Sequence, residues 1–129
     1  MTSPVLPAMA AWADSRPLRF VVTTGDNFYE DGVASVADPK WKTSFEDVYA
    51  AKSLQVPWYA VLGNHDYRGS VGAQLAYAKT SPRWRMPARS YTATETSGDG
   101  ARLQLFVLDT SPFLDTYRSA VSRTKVAGQ

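Results

Sequence analysis

Continuous apolar runs alternate along the first half of the chain with stretches in which apolar residues recur every three or four positions. The runs at residues 18–24 and 56–62 are typical of strands buried on both faces of a parallel sheet. Helical spacing predicts helices near residues 4–14, 39–52 and 70–79. Because a helix-length segment separates the two runs, the pattern predicts a right-handed crossover between parallel strands, a βαβ unit.

The pattern changes in the second half of the chain. Polar and apolar residues alternate over residues 89–96, a turn-forming segment follows, and residues 102–108 form another apolar run that we predict to be a buried strand. Together these segments predict a β-hairpin. Residues 114–129 have weak periodicity, which is consistent with a frayed helix and equally with disorder. We therefore predict an α/β fold, with residues 1–129 forming one domain.

Composition narrows the classes of protein to consider. The chain is 44% hydrophobic and 20% charged with a formal net charge of +2, which is typical of a folded domain and gives no reason to predict a nucleic-acid partner. It contains no cysteine, which excludes disulfides and cysteine-ligated metals. No apolar stretch is long enough for a membrane helix, and residues 1–13 lack the positive start of a signal peptide. We predict neither a membrane partner nor a signal peptide.

Two loops carry the candidate chemistry, at residues 25–29 and 63–67, each directly after a predicted strand. Ligands bind at the carboxyl edge of open α/β sheets, so Asp26 and Asn64 could converge there on one cation through their side-chain oxygens. The alternative is structural, because such residues commonly form turns or caps and a lone histidine such as His65 is commonly structural.

Asp66 is open to two interpretations. It orients the neighbouring His65, or it caps the helix that follows.

The two loops resemble motifs of a known enzyme family. Gly-Asp-Asn-Phe-Tyr at residues 25–29 and Gly-Asn-His-Asp-Tyr at residues 63–67 are similar to two motifs of the tartrate-resistant type of purple acid phosphatase, within the calcineurin-like metallophosphoesterases. The resemblance implies half of the four-layer α/β/β/α sandwich of that superfamily. It extends over residues 18–113 and includes residues 41–46, 56–59, 81–89 and 108–110.

The resemblance also implies roles for individual residues. Asp26 would bridge two metals, Tyr29 would be the phenolate ligand of Fe(III), and Asn64 would bind a divalent ion (Fe, Zn or Mn) and contact substrate. His65 would contact the phosphate and protonate the leaving alkoxide as a general acid. The implied reaction is hydrolysis of a phosphate monoester by a hydroxide generated at a dinuclear metal centre.

Other motifs of the family have no counterpart in this sequence. The family has an earlier Asp motif and two later His motifs, whereas His65 is the one histidine present. The resemblance therefore implies a partial domain, and we expect the isolated chain to bind two metals poorly and to hydrolyse esters slowly. Family members are often secreted or periplasmic.

Two further function classes remain open at this point. One is a non-catalytic interaction module that self-associates through its incomplete sheet. The other is an anion-binding patch beside Trp84, for which a solvated basic loop is the alternative. Its candidate members are Arg68, Arg83, Arg85 and Arg89.

Overall fold

The computed structural model describes residues 5–118, in which a helix precedes a small parallel sheet and a hairpin follows it. The helices and strands are α1 (Val5–Ser15), β1 (Val21–Val22), β2 (Trp58–Tyr59), α2 (Val71–Tyr77), β3 (Trp84–Arg85), β4 (Tyr91–Thr96) and β5 (Arg102–Val107). Shorter helical turns are a π-helix at Lys42–Glu46 and 3₁₀ helices at Lys52–Leu54, Asp66–Arg68 and Ser111–Phe113.

The parallel sheet has the strand order β1-β2-β3, which confirms the predicted parallel pairing of the first two strands. Val21 lies opposite Trp58, and Trp58 lies opposite Trp84. The strands are shorter than predicted, although Thr23 N still donates to Tyr59 O at 2.9 Å beyond the end of β1. Strand β3 was not predicted, because a two-residue strand is too short to have a recognisable pattern.

The helix predictions are confirmed at both ends of the βαβ unit, where α1 and α2 form. Helix α2 begins after Ser70, whose Oγ accepts a hydrogen bond from Ala73 N at 3.1 Å. The predicted continuous helix over 39–52 is wrong. Asp47 N donates to Lys42 O at 2.9 Å, which closes a wide π-helical turn, and the extended backbone of Ala51 (ψ 139°) separates it from the 3₁₀ helix.

Aromatic rings form the core between the sheet and the crossover segment. Phe28 and Trp41 meet edge to face with centroids 4.7 Å apart, Phe45 and Trp84 do so at 5.1 Å, and Trp41 stacks on Tyr77 at 3.7 Å. Edge-to-face contacts add to the hydrophobic stabilisation because the ring quadrupoles are complementary. The apolar stripe expected of the crossover segment therefore packs inward, although its backbone is not one regular helix.

Strands β4 and β5 form the predicted antiparallel hairpin, with Tyr91 opposite Val107. The prediction that β5 is buried is wrong, because Leu103 is 51% exposed and Phe106 is 67% exposed. Within the described part of the chain, β5 pairs only with β4, so its outer edge is unpaired. On the opposite face from Phe106, Val107 is buried. The prediction of a strand is thus confirmed, whereas the prediction that the strand is buried is not.

The end of the described chain begins a helical turn at residues 115–118, and the rest of the predicted tail at 114–129 lies outside the described residues. None of the helices between Val5 and Arg118 combines the length and the apolar character needed to cross a bilayer.

Tyr91 joins the hairpin to the parallel sheet, and its removal gives the first testable prediction. Its hydroxyl lies 2.9 Å from the carbonyl oxygens of both Ala60 and Arg85, which share its one proton. The Y91F variant should lose about 1–2 kcal/mol of unfolding free energy at pH 8. The control Y49F removes the hydroxyl of a tyrosine whose ring packs on Trp58. The unfolding free energy of this variant should be close to that of wild type.

The contribution of Tyr91 should also depend on pH. Burial raises the pKa of Tyr91 to about 12, above the usual value of 10.0. Because the pKa is higher in the folded than in the unfolded chain, folding favours the protonated phenol. This contribution to the unfolding free energy is complete below pH ~10 and is lost as the pH rises towards 12. Urea unfolding at pH 8 and pH 11 should therefore show a smaller decline for Y91F than for wild type. Equal declines would contradict the assignment.

Candidate functional site

Both candidate loops lie at the same edge of the sheet, because β1 and β2 are parallel neighbours. Asp26 follows β1, Asn64 follows β2, and both residues line one open cleft of about 530 Å³. Thr110 and Ser111, from the segment after the hairpin, line the same cleft. The structure thus places at one cleft the two residues that the sequence had singled out.

Asp26 has an unusual backbone and is held by both loops. Its φ is 50°, in the left-handed region that non-glycine residues seldom adopt, and such strain of about 1–3 kcal/mol is concentrated at functional sites. Its Oδ1 accepts a hydrogen bond from His65 N at 2.9 Å, and its Oδ2 accepts one from Tyr29 OH at 3.1 Å. These bonds fix the carboxylate against the second loop.

Gly63 allows the two loops to approach each other. A Cβ atom at this position would overlap the backbone nitrogen and the Oδ1 of Asp26. The absence of a side chain at residue 63 is therefore a requirement of the site geometry.

His65 and Tyr29 lie side by side next to Asp26. Their ring centroids are 4.6 Å apart, and the Nδ1 of His65 lies 2.6 Å from the carbonyl oxygen of Glu30. The same Nδ1 lies 3.1 Å from Arg68 Nη1. Glu30 O can only accept and the guanidinium can only donate, so the two neighbours favour opposite protonation states of Nδ1. The hydrogen bond to Asp26 raises the pKa of the Tyr29 phenol, which is 61% exposed.

Asp66 has neither of the two roles considered from the sequence, which were to orient His65 and to cap the next helix. Ser70 caps α2, and the Asp66 carboxylate instead contacts Asn27, Gly63 and Gln74. It is completely buried. Its position between the loops had no local signal in the sequence, because nothing marks one acidic residue of a polar loop as buried.

The donor set can be tested against the metals that the resemblance implies. Asp26, Tyr29 and Asn64 offer a carboxylate, a phenol and an amide oxygen, which are ligands suited to hard cations. Between residues 5 and 118, however, no group of three or more His, Cys, Asp or Glu side chains is placed to hold a metal ion. These residues fit one part of a hard-cation site and do not make up a dinuclear centre.

The basic residues predicted as an anion-binding patch have separate environments. Arg83 is 4% exposed, forms an ion pair with Glu46 and lies over the Phe45 ring at 4.6 Å. Arg68 lies 3.9 Å from Asp31. Since Arg83 is buried and paired, the structure does not support a common patch.

Thr110 and Ser111 are cleft residues that sequence reasoning missed. They follow Asp109, whose Oδ1 accepts a hydrogen bond from Ser111 N at 3.1 Å and so forms a tight turn. The turn directs this segment past the cleft. The Ser-Pro pair at 111–112 signals a turn and nothing about a ligand site.

Comparison with known proteins places the chain among phosphoesterases. The family model described as calcineurin-like phosphoesterase matches residues 8–120. Purple acid phosphatase 4 of Arabidopsis thaliana is 44% identical over 117 residues, covering 89% of this chain and 33% of that protein. Tartrate-resistant acid phosphatase type 5 of Oryctolagus cuniculus is 52% identical over 73 residues, covering 56% of this chain and 22% of that protein.

A solved structure is also similar. It is entitled "GAP50 the anchor in the inner membrane complex of Plasmodium", and it is 28% identical with a TM-score of 0.72 over 87% of this chain and 38% of that one. This likeness and the family match confirm the α/β metallophosphoesterase architecture predicted from the motifs. The chain spans about a third of the length of the Arabidopsis relative.

The close contact at Gly63 gives a prediction with a matched control. The G63A variant should lose about 1–3 kcal/mol of unfolding free energy, because its methyl group would displace Asp26. In G72A the new methyl group meets only Ser70 Oγ, at 3.8 Å, on the exposed side of α2. The unfolding free energy of G72A should therefore be about 0.5–1 kcal/mol higher than that of wild type, because alanine has the higher helix propensity. Urea denaturation measures both, and a G63A variant as stable as wild type would contradict the geometry.

Proposed function

The chain belongs to the calcineurin-like phosphoesterase family, and on that premise we propose that it carries part of the active site of a metal-dependent phosphomonoesterase of the acid phosphatase type. The observation that supports this most directly is that Asp26 and Asn64 line the same cleft. The names of its relatives point to the same reaction class, since they are purple and tartrate-resistant acid phosphatases.

In this proposal three residues hold the metals. Asp26 would be the carboxylate shared by the two metals, Tyr29 would hold Fe(III), and Asn64 would hold the divalent ion (Fe, Zn or Mn). The hydrogen bond from His65 N to Asp26 Oδ1 sets the orientation of the carboxylate. The bond from Tyr29 OH to Asp26 Oδ2 belongs to the metal-free chain, because a phenolate ligand would have lost that proton. Two metals held there with the help of further ligands would supply charge that neutralises the phosphate oxygens and lowers the pKa of the attacking water.

His65 is the proposed general acid. Its Nδ1 is held by Glu30 O at 2.6 Å and by Arg68 Nη1 at 3.1 Å. The other ring nitrogen, Nε2, would then be the atom that gives a proton to a leaving alkoxide. Asn64 and His65 together would contact the phosphate of a monoester substrate.

We further propose that the isolated chain is impaired. Its described residues supply too few donors for two metals, and each missing ligand lowers the affinity and leaves the ions exposed to water. Full activity would then require ligands from sequence that the relatives have and that this chain does not cover.

Metal loading tests this proposal. Purified with iron and zinc, the wild-type chain should hold less than one metal per chain and turn over p-nitrophenyl phosphate near the background rate. The D26N variant should bind iron about 10-fold more weakly still. D99N, which changes an aspartate in the hairpin turn, is the matched control and should bind as wild type does.

Two outcomes would contradict different parts of the proposal. A stoichiometric dimetal centre with rapid turnover would show that the chain is not impaired. Equal iron affinity in D26N and wild type would remove Asp26 from the metal site. Atomic absorption and isothermal titration calorimetry give the two measurements.

A second candidate function is an interaction module that associates with a second copy of itself. Among residues 5–118 the outer edge of β5 has no strand partner, and such an edge is a template for strand addition. Phe106 and Leu108, which share one face of the strand, expose apolar surface beside it. Two β5 edges can pair antiparallel about a two-fold axis, which buries the same residues from both copies.

Light scattering after size-exclusion chromatography tests the second candidate. Wild type should form a dimer at high micromolar concentration, whereas F106S should weaken the dimer at least about 10-fold, because a buried aromatic anchor contributes more than 1.4 kcal/mol. V36S changes another exposed apolar residue, in a loop outside the hairpin, and should dimerise as wild type does. A wild-type chain that remains monomeric would contradict the module.

A further inference from the structure

Asp66 occupies a buried position between the two loops of the candidate site. Its carboxylate accepts hydrogen bonds from Asn27 N at 3.1 Å, Asn27 Nδ2 at 3.1 Å and Gly63 N at 2.9 Å. A further bond comes from Gln74 Nε2 of α2 at 2.8 Å. One side chain thus contacts the residue after Asp26, the residue before Asn64 and the helix behind both loops.

Every group that contacts Asp66 is a neutral donor. The backbone N–H of Gly63 cannot accept, and neither can the backbone N–H of Asn27. A carboxylate, which offers about four acceptor positions and no donor, matches this set. No arginine or lysine contributes to the set, so the hydrogen-bond geometry holds the group in place. Hydrogen bonds to a charged acceptor are also stronger than neutral ones.

We propose that Asp66 is a positioning residue that fixes the spacing between Asp26 and Asn64, an inference that rests on the proposed metal site. Asn27 is bonded covalently to Asp26, and Gly63 is bonded covalently to Asn64. Because Asp66 binds the backbone N–H of both, it controls the separation of the two ligands at the level of the main chain. Gln74 ties the carboxylate in turn to α2.

The D66N variant separates this role from packing, since it keeps the shape of the side chain. Its amide NH₂ group must face at least one donor, because both oxygens of Asp66 accept bonds in the structure. The bond from His65 N to Asp26 Oδ1, which crosses between the loops, is the reporter of the change. Trp58 N, which donates to Arg83 O at 2.8 Å in the sheet, reports the core.

Amide hydrogen exchange on the metal-free 129-residue chain is the first experiment. In D66N the His65 amide should exchange about 10-fold faster relative to the Trp58 amide than it does in wild type. The control E46Q breaks the pair between Glu46 and the buried Arg83 and so destabilises the core. Because Trp58 N donates to Arg83 O, E46Q should accelerate the Trp58 amide at least as much as the His65 amide, so it should not raise the ratio.

A second variant keeps the experiment informative if D66N fails to fold. N27A removes only the side-chain bonds of Asn27 and leaves its backbone N–H on Asp66, so it should change the ratio in the same direction by about 3-fold. Equal acceleration of His65 and Trp58 in D66N, or in N27A if D66N is unfolded, would show a general structural role and overturn the proposal.

Manganese binding is the second experiment, with paramagnetic broadening of the Asp26 and Asn64 amide signals as the measurement. D66N should need about 10-fold more Mn²⁺ for half broadening than wild type and E46Q. An unchanged midpoint in D66N would overturn the proposal. If wild type shows no broadening there, the proposed metal site fails, whereas the exchange ratio still decides whether Asp66 holds the loops.

Discussion

The parallel pairing of β1 with β2 is the constraint on which the candidate site depends. Val21 opposite Trp58 sets the register, and the strand direction then delivers the following loops to the same edge of the sheet. An antiparallel arrangement would place Asp26 and Asn64 at opposite ends. Two short strands suffice because the aromatic core behind them holds the crossover segment in place.

The sequence predicts those features that a local pattern specifies. Apolar runs followed by polar segments predicted the two loops that contain Asp26 and Asn64. Alternation over residues 89–96, with the turn and the apolar run after it, predicted the hairpin. The exposure of Phe106 was not predictable, because an apolar strand has the same pattern whether or not another layer covers it. Asp66 was missed for a different reason: its partner Asn27 lies 39 residues away, and only the folded chain brings them together.

The motifs and the structure locate the candidate site at the same two loops, but each gives different information about it. The resemblance assigns a role to each motif residue, whereas the structure shows how Asp26, Tyr29 and His65 hold one another. Only the bond from His65 N uses a backbone amide, and the Asp26 carboxylate accepts it, so the arrangement depends on side chains. Gly63 adds a constraint on the backbone, which must approach Asp26.

Phe28 connects the first loop to the aromatic core, since it follows Asn27 directly and packs against Trp41 at 4.7 Å and Trp84 at 5.8 Å. A displacement of that loop therefore changes the surroundings of two indole rings that are otherwise shielded from water. The chain thus contains its own optical reporter. Tryptophan emission follows the state of the cleft without any attached dye.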